Sequence, residues 1–160
     1  SLATVKGLAM VTQRSVIPVS TLEALVRNVS DPLHQVCPLL DARREEVYAA
    51  LFRRYEEDGW TRLLPDQVIS AGDLLKQLSE PTVFVGEGAV RYQALIQQAM
   101  GEKAIFAPAK AAWPSAAIVA RMGLVRLLRG ETVRAKKVTP AYLRRPEAEV
   151  KLEKRKGLIK

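Results

Sequence analysis

Four groups of residues in this 160-residue chain are of types that could do chemistry. Asp41, Asp73 and Glu87 are carboxylates that a two-metal nuclease would need to converge within about 4 Å of shared ions. Gly86-Glu-Gly88 follows a short apolar run and precedes a helical pattern, as a turn that cradles phosphate does. His34 and Cys37 are the only residues of their kinds, which excludes a multi-His metal site and any Ser-His-Asp set that does not use His34. The fourth group is a C-terminal run of Lys and Arg that could meet a polyanion.

Each group has a plainer reading. Asp41 sits in a turn sequence and Asp73 lies three residues past Ser70, so both have structural employment as turn and cap residues. Gly86-Glu-Gly88 has no Lys-Ser/Thr of a phosphate loop behind it, so a tight strand-to-helix turn accounts for it. Cys37 lies inside the apolar run Val36-Cys-Pro-Leu-Leu40, with nothing nearby to lower its pKa. Neither catalysis nor a cofactor or metal site is visible in the residues. Trp60 and Trp113 are expected at the edges of the core.

The charge is uneven. Residues 129–160 carry eleven Lys/Arg against four Asp/Glu, and residues 1–128 carry fourteen against thirteen. A nearly neutral body with a basic tail points to nucleic acid for the tail, or to a solvated end. Lys136, Lys137, Arg144, Arg145, Lys154, Arg155 and Lys156 are the candidate nucleic-acid residues. No apolar run reaches the ~20 residues that cross a bilayer. The opening Ser-Leu-Ala-Thr-Val-Lys does not read as a signal peptide. A single cysteine fits a reducing, cytoplasmic setting.

The elements that must position these groups begin with three apolar runs split by two short polar turns. Residues 36–40, 46–55 and 61–64 read as three antiparallel strands, with turns at residues 41–45 and at Glu57-Asp-Gly59. A helix over residues 46–55 is the alternative, because the apolar residues there also recur at three and four. The Asp-Gly turn and the aromatic content favour strand. Ser70 caps a helix with Leu74, Leu75 and Leu78 on its buried side, and Thr82-Val-Phe-Val85 is a buried strand. A helix carries Val90, Tyr92, Leu95, Ile96 and Met100 to Gly101, and Ala104-Ile-Phe-Ala107 is the next strand. A last helix, with Pro114 at its first position, runs through Ile118, Met122, Val125 and Leu128 to Gly130.

The order βββαβαβα predicts an α/β fold with a ribonuclease H-like mixed sheet, which is also one lobe of the actin/Hsp70-like ATPase fold. Ahead of it, residues 2–14 read as a helix without an entry turn, with Leu2, Val5, Leu8, Ala9 and Thr12 on one face. A short strand over residues 16–19 and a helix capped by Ser20 and Glu23 follow. The expected division is residues 1–35 as the remnant of an N-terminal lobe and linker, 36–130 as the ribonuclease H-like lobe, and 131–160 as a basic tail.

Four stretches together resemble a known family. Ile17-Pro-Val-Ser-Thr-Leu-Glu-Ala-Leu25, Asp41-Ala-Arg-Arg-Glu-Glu-Val-Tyr48, Val85-Gly-Glu-Gly-Ala89 and Tyr142-Leu-Arg-Arg-Pro-Glu-Ala148 are similar to the TsaB (YeaZ) family of bacteria, in its order and at about its spacing. That family has the two-lobed actin/Hsp70-like fold. Its first lobe, with a glycine-rich GPGSFTG turn, has no counterpart here, and residues 2–14 resemble the helix that follows that turn.

The resemblance implies a role in making N6-threonylcarbamoyladenosine in tRNA, from threonylcarbamoyl-AMP. It implies a non-catalytic scaffold, an inactive paralogue that pairs with the TsaD transferase and is joined by the TsaE ATPase. The family's glycoprotease-like label implies peptidase chemistry, which no residue here supports. A homodimer is a further expectation, and the partner surface implied is the stripe Leu2, Val5, Leu8, Ala9 and Thr12. The alternatives are a metal-dependent nuclease of ribonuclease H-like fold and an actin-like ATPase lobe.

Overall fold

The computed structural model describes residues 2–31, 33–55 and 59–144. Its centre is β2 (Gln35–Arg43). The strand pairs antiparallel with β3 (Glu46–Arg54) on one side and parallel with β5 (Thr82–Val85) on the other. Strand β4 (Trp60–Ser70) extends the antiparallel side and β6 (Ala104–Phe106) the parallel side, giving the order β4-β3-β2-β5-β6. A strand covered on both faces must be apolar on both, which is why residues 36–40 read as an unbroken run. The result is the mixed sheet expected from the order of elements, a ribonuclease H-like lobe of the actin/Hsp70-like fold.

Strand β3 shows why its sequence reads as either helix or strand. Val47, Ala49 and Leu51 enter the core on one face of the sheet, and Ala50 and Phe52 enter the core on the other. Burial on both sides fills the alternation in, and the filled pattern also contains spacings of three and four. The first face is covered by α3 (Ala71–Lys76), α4 (Glu87–Arg91) and α5 (Gln93–Met100), through Leu74, Leu75, Ala89 and Ile96. The second is covered by α2 (Thr21–Val26), through Leu22, Leu25 and Val26, and by a 3-10 turn at Ala109–Ala111. Fully burying one such aliphatic side chain contributes roughly 1.5–3 kcal/mol.

Several local features differ from the sequence reading. The β2–β3 connection is Arg44 and Glu45 alone, because β2 continues through a bulge to Arg43, which pairs with Glu46. Of the second turn, Glu57 and Asp58 lie outside the described residues; the Gly59 carbonyl accepts the Tyr55 N–H at 3.1 Å. The single helix expected between the Gly86-Glu-Gly88 turn and Gly101 is interrupted at Tyr92, between α4 and α5. Pro114 stands ahead of Ser115, the N-cap of α6 (Ala116–Leu128), rather than in its first turn. Gly130, at φ 73°, ends α6 with its N–H on the Leu127 carbonyl and the Glu131 N–H on that of Arg126, the paired closure that a left-handed glycine permits.

Outside the sheet, α1 (Leu2–Val11) is shorter than the expected helix. Strand β1 is only Ser15–Val16, and Pro18, with no N–H to donate, lies beyond it. It pairs antiparallel with β7 (Val133–Arg134), so the start of the basic tail is tied to the N-terminal segment. A 3-10 turn at Ala135–Lys137 then packs on α1, with the Lys6 ammonium on the Val138 carbonyl at 3.0 Å.

Candidate functional site

Two of the three carboxylates considered for metal chemistry, Asp41 and Asp73, are engaged separately by neighbours of their own. Asp41, near the end of β2, accepts the Arg43 N–H at 3.0 Å and the Tyr92 hydroxyl at 3.4 Å, and Arg91 Nε lies 3.5 Å from its other oxygen. Asp73, in the first turn of α3, accepts from Lys76 at 2.7 Å and from the Ser70 hydroxyl at 2.8 Å. These two bonds hold its carboxyl below the usual range. Glu87 begins α4. Among the described residues no group of three His, Cys, Asp or Glu side chains is placed to hold a metal ion. The geometry therefore offers the nuclease reading no site among the described residues.

The Gly86 and Gly88 positions are set by packing. Gly86 has φ 105°, and a Cβ there would meet the Leu39 carbonyl oxygen at 2.3 Å. A Cβ on Gly88 would lie 2.9 Å from the Leu39 Cβ. The β5–α4 corner thus lies directly on β2, closer than any side chain allows.

His34 Nδ1 is 2.8 Å from Asp31, whose other oxygen accepts the backbone N–H groups of Leu33 and His34. Burial alone would raise the Asp31 pKa, but these hydrogen bonds outweigh it and leave the carboxyl below its ordinary value. Cys37 is fully buried, and burial pushes its thiol far above the usual range, so it remains a protonated core residue.

The surfaces are more informative. On α1, Val5 is 48% exposed and Leu8 64%, with Met10 and Val11 exposed beside them. Leu2 is half-buried, and the exposed Thr12 turns its hydroxyl back to the Leu8 carbonyl at 2.7 Å. Ala9 differs from the rest of the stripe: it is buried, as are Ala135 and Val138 in the segment packed against α1. The stripe is therefore divided, Ala9 turned to the chain's own core and Val5 and Leu8 to solvent.

A second apolar surface was not foreseen. Of the apolar residues that the sequence analysis named along α6, only Met122 is buried; Ile118 is half-buried, Val125 exposed and Leu128 80% exposed. Leu124 and Leu127 are exposed as well. The signal was present in the sequence, since residues 118–128 are apolar on every side of the helix, more than one core face requires. Arg126 fixes α6 to the body through the Pro18 carbonyl at 2.6 Å and Glu23 at 2.8 Å. Trp113 is 64% exposed rather than packed at the core edge.

The basic candidates divide as well. Lys136 and Lys137 are exposed on the turn that packs on α1. Arg144 is half-buried, donating to the Ala42 carbonyl at 2.9 Å and ion-paired with Glu46 at the turn end of the β2–β3 hairpin. Arg145, Lys154, Arg155 and Lys156 lie outside the described residues. No helix among the described residues is long and apolar enough to cross a membrane.

Residues 1–152 match the family described as "TsaD: tRNA N6-adenosine threonylcarbamoyltransferase". Two curated relatives are each named tRNA threonylcarbamoyladenosine biosynthesis protein TsaB. The one from Bacillus subtilis is 30% identical over 83% of this chain and 57% of its own length. The one from Haemophilus influenzae is 29% identical over 87% of this chain and 61% of its own. The chain thus spans about three-fifths of the curated relatives it matches.

Two solved structures from Pseudomonas aeruginosa share the fold at 23% identity. One, described as an uncharacterized protein with similarity to peptidase YEAZ, superposes with a TM-score of 0.71 over 89% of this chain and 65% of that one. The other, described as YeaZ, gives 0.69 over 88% and 66%.

Proposed function

The chain belongs to the TsaD family and, within it, to the TsaB (YeaZ) group, and from that premise we propose that it acts in tRNA threonylcarbamoyladenosine biosynthesis as a non-catalytic scaffold that supports a TsaD-type transferase. The observation that carries this reading is the exposed apolar surface of α1. Val5, Leu8, Met10 and Val11 stand in water on a helix held to the body through Ala9 and Lys6. Large apolar side chains exposed together on one helix suit a protein contact, whereas Asp41, Asp73, Asp31 and His34 are engaged in turns, caps and ion pairs. The name of one structural neighbour refers to a peptidase. Nucleophilic chemistry by this chain would need an activated thiol or hydroxyl, and Cys37 is inert by burial.

In this reading a TsaE-like ATPase joins the pair, and a second copy of the chain can occupy the same α1 surface in the absence of the transferase. The setting is the cytoplasm, where tRNA and both partners would be met. Retention of the transferase on immobilised chain tests the reading. The substitutions Val5→Glu and Leu8→Glu abolish retention if α1 is the contact, and unchanged retention would end the idea. Ala9 is the wrong position for this test, because a charge there disturbs the chain's own packing.

A further inference from the structure

The fold gathers charge that the sequence keeps apart. Residues 2–22 hold no Asp or Glu, and residues 103–144 hold Glu131 alone. The β1–β7 pairing sets these two acid-poor segments side by side, with Ser15 opposite Arg134 and Arg14 one residue beyond the pair. Helix α1 ends at Gln13, φ 54°, whose N–H returns to the Met10 carbonyl while that of Arg14 returns to the Ala9 carbonyl. This paired closure fixes where the chain leaves the helix, and so where Arg14 stands. After β7, Ala135 and Val138 are buried in the segment that packs on α1, three residues apart and so on one side of a 3-10 turn. Lys136 and Lys137, between them, are exposed.

Arg14, Arg134, Lys136 and Lys137, with Arg129 at the end of α6, are therefore exposed cations on adjoining elements. None of the five has a side-chain hydrogen bond or ion pair among the described residues. Glu131, exposed between Arg129 and Arg134, is the one opposing carboxylate of these segments. The nearby Glu23 of α2 is already taken by Arg27 and Arg126. Five like charges against one carboxylate repel one another, a cost to the compact state that a bound polyanion relieves.

We propose that the β1–β7 ribbon and the 3-10 turn behind it form a nucleic-acid contact, in which Arg14, Arg129, Arg134, Lys136 and Lys137 meet backbone phosphates. A guanidinium binds phosphate through paired N–H donors, and cations spread over adjoining elements suit a phosphate backbone more than a single small anion. The turn carrying Lys136 and Lys137 packs on α1, so this surface borders the helix proposed to meet the transferase. The inference rests on the reading that this chain works beside tRNA. It adds Arg14, Arg129 and Arg134 to the lysines that the sequence singled out, and makes one surface of segments far apart in the chain.

Two double variants, Arg14→Gln/Arg134→Gln and Lys136→Gln/Lys137→Gln, remove charge and leave the buried Ala9, Ala135 and Val138 in place. Binding of unmodified tRNA is followed by fluorescence anisotropy across a salt series. Each double variant lowers the slope of log K against log salt by roughly 2 and weakens tRNAs of different sequence alike, while the melting temperature holds or rises. Lys76→Gln, on α3 across the sheet from α2, removes charge elsewhere and keeps the slope of the unaltered chain. An unchanged slope in either double variant overturns the inference. So does an equal fall per charge in Lys76→Gln, which would mean net charge and not a surface. Intact tRNA binding by the double variants with lost retention of the transferase, or with lost binding to phosphatidylserine vesicles, overturns it in favour of a protein or a membrane contact. No tRNA binding by the unaltered chain overturns it too, and retention of the transferase in the same sample would leave the scaffold reading standing. Salt-sensitive tRNA binding at these residues without any retention of the transferase would support the inference and sink the scaffold reading.

Discussion

Replacing Gly86 with Ala separates a packing glycine from a phosphate-cradling one, and the structure sets its size. At φ 105° and ψ 170° the backbone lies in a region open almost only to glycine, which costs an L-residue roughly 1–3 kcal/mol. The new Cβ would also stand 2.3 Å from the Leu39 carbonyl oxygen, and forcing backbone apart in a packed core adds roughly 1–3 kcal/mol. Together these amount to about 2–6 kcal/mol, a large share of the ~5–15 kcal/mol that stabilises a domain.

Gly88→Ala lacks the backbone strain and meets Leu39 Cβ at 2.9 Å, so its loss is smaller. Gly72, in α3, has open space where a Cβ would go, and Gly72→Ala gains up to about 1 kcal/mol. Urea titration of the three variants should rank the midpoints Gly72→Ala above wild type, then Gly88→Ala, then Gly86→Ala, with m unchanged. A Gly86→Ala protein as stable as wild type would refute the packing argument.

Two further outcomes follow from the ionisable groups. The hydrogen bonds to Asp31 depress its folded pKa, so their contribution is full above the unfolded carboxyl's pKa and is lost as pH falls through the folded value. The stability difference between wild type and Asp31→Asn, measured by urea unfolding, should therefore shrink as pH is lowered through the acid carboxylate range, and a difference constant with pH would contradict this. Cys37 should resist a thiol-specific reagent at neutral pH in the native protein and react at once in denaturant; rapid native labelling would show that β2 opens.

The sheet was legible because its signals are local. Residues 36–40 are apolar on both faces and so had to be a central strand, and Ser70 announces α3 through the cap it makes with the Asp73 N–H at 3.0 Å. The place of the β2–β3 turn was legible but its left-handed geometry was not, since Arg-Arg-Glu carries none of the Gly or Asn that marks positive φ, and tertiary contacts impose the turn. The division of the α1 stripe was hidden for another reason. Periodicity shows that a helix has an apolar face but not whose core the face enters, and Ala9 and Leu8, adjacent in sequence, go to opposite fates. Arg144 counted as one more tail cation, and only the fold brings it to Glu46, 98 residues away in sequence.

The central claim is that this chain supports a transferase without performing the transfer. Its most direct test is modification of tRNA from threonylcarbamoyl-AMP by a TsaD-type transferase, measured without the chain, with it, and with Val5→Glu/Leu8→Glu. The account predicts stimulation by the unaltered chain, none by the folded variant, and no product from the chain alone. Product formed by the chain alone, or stimulation undiminished by the variant, would contradict it.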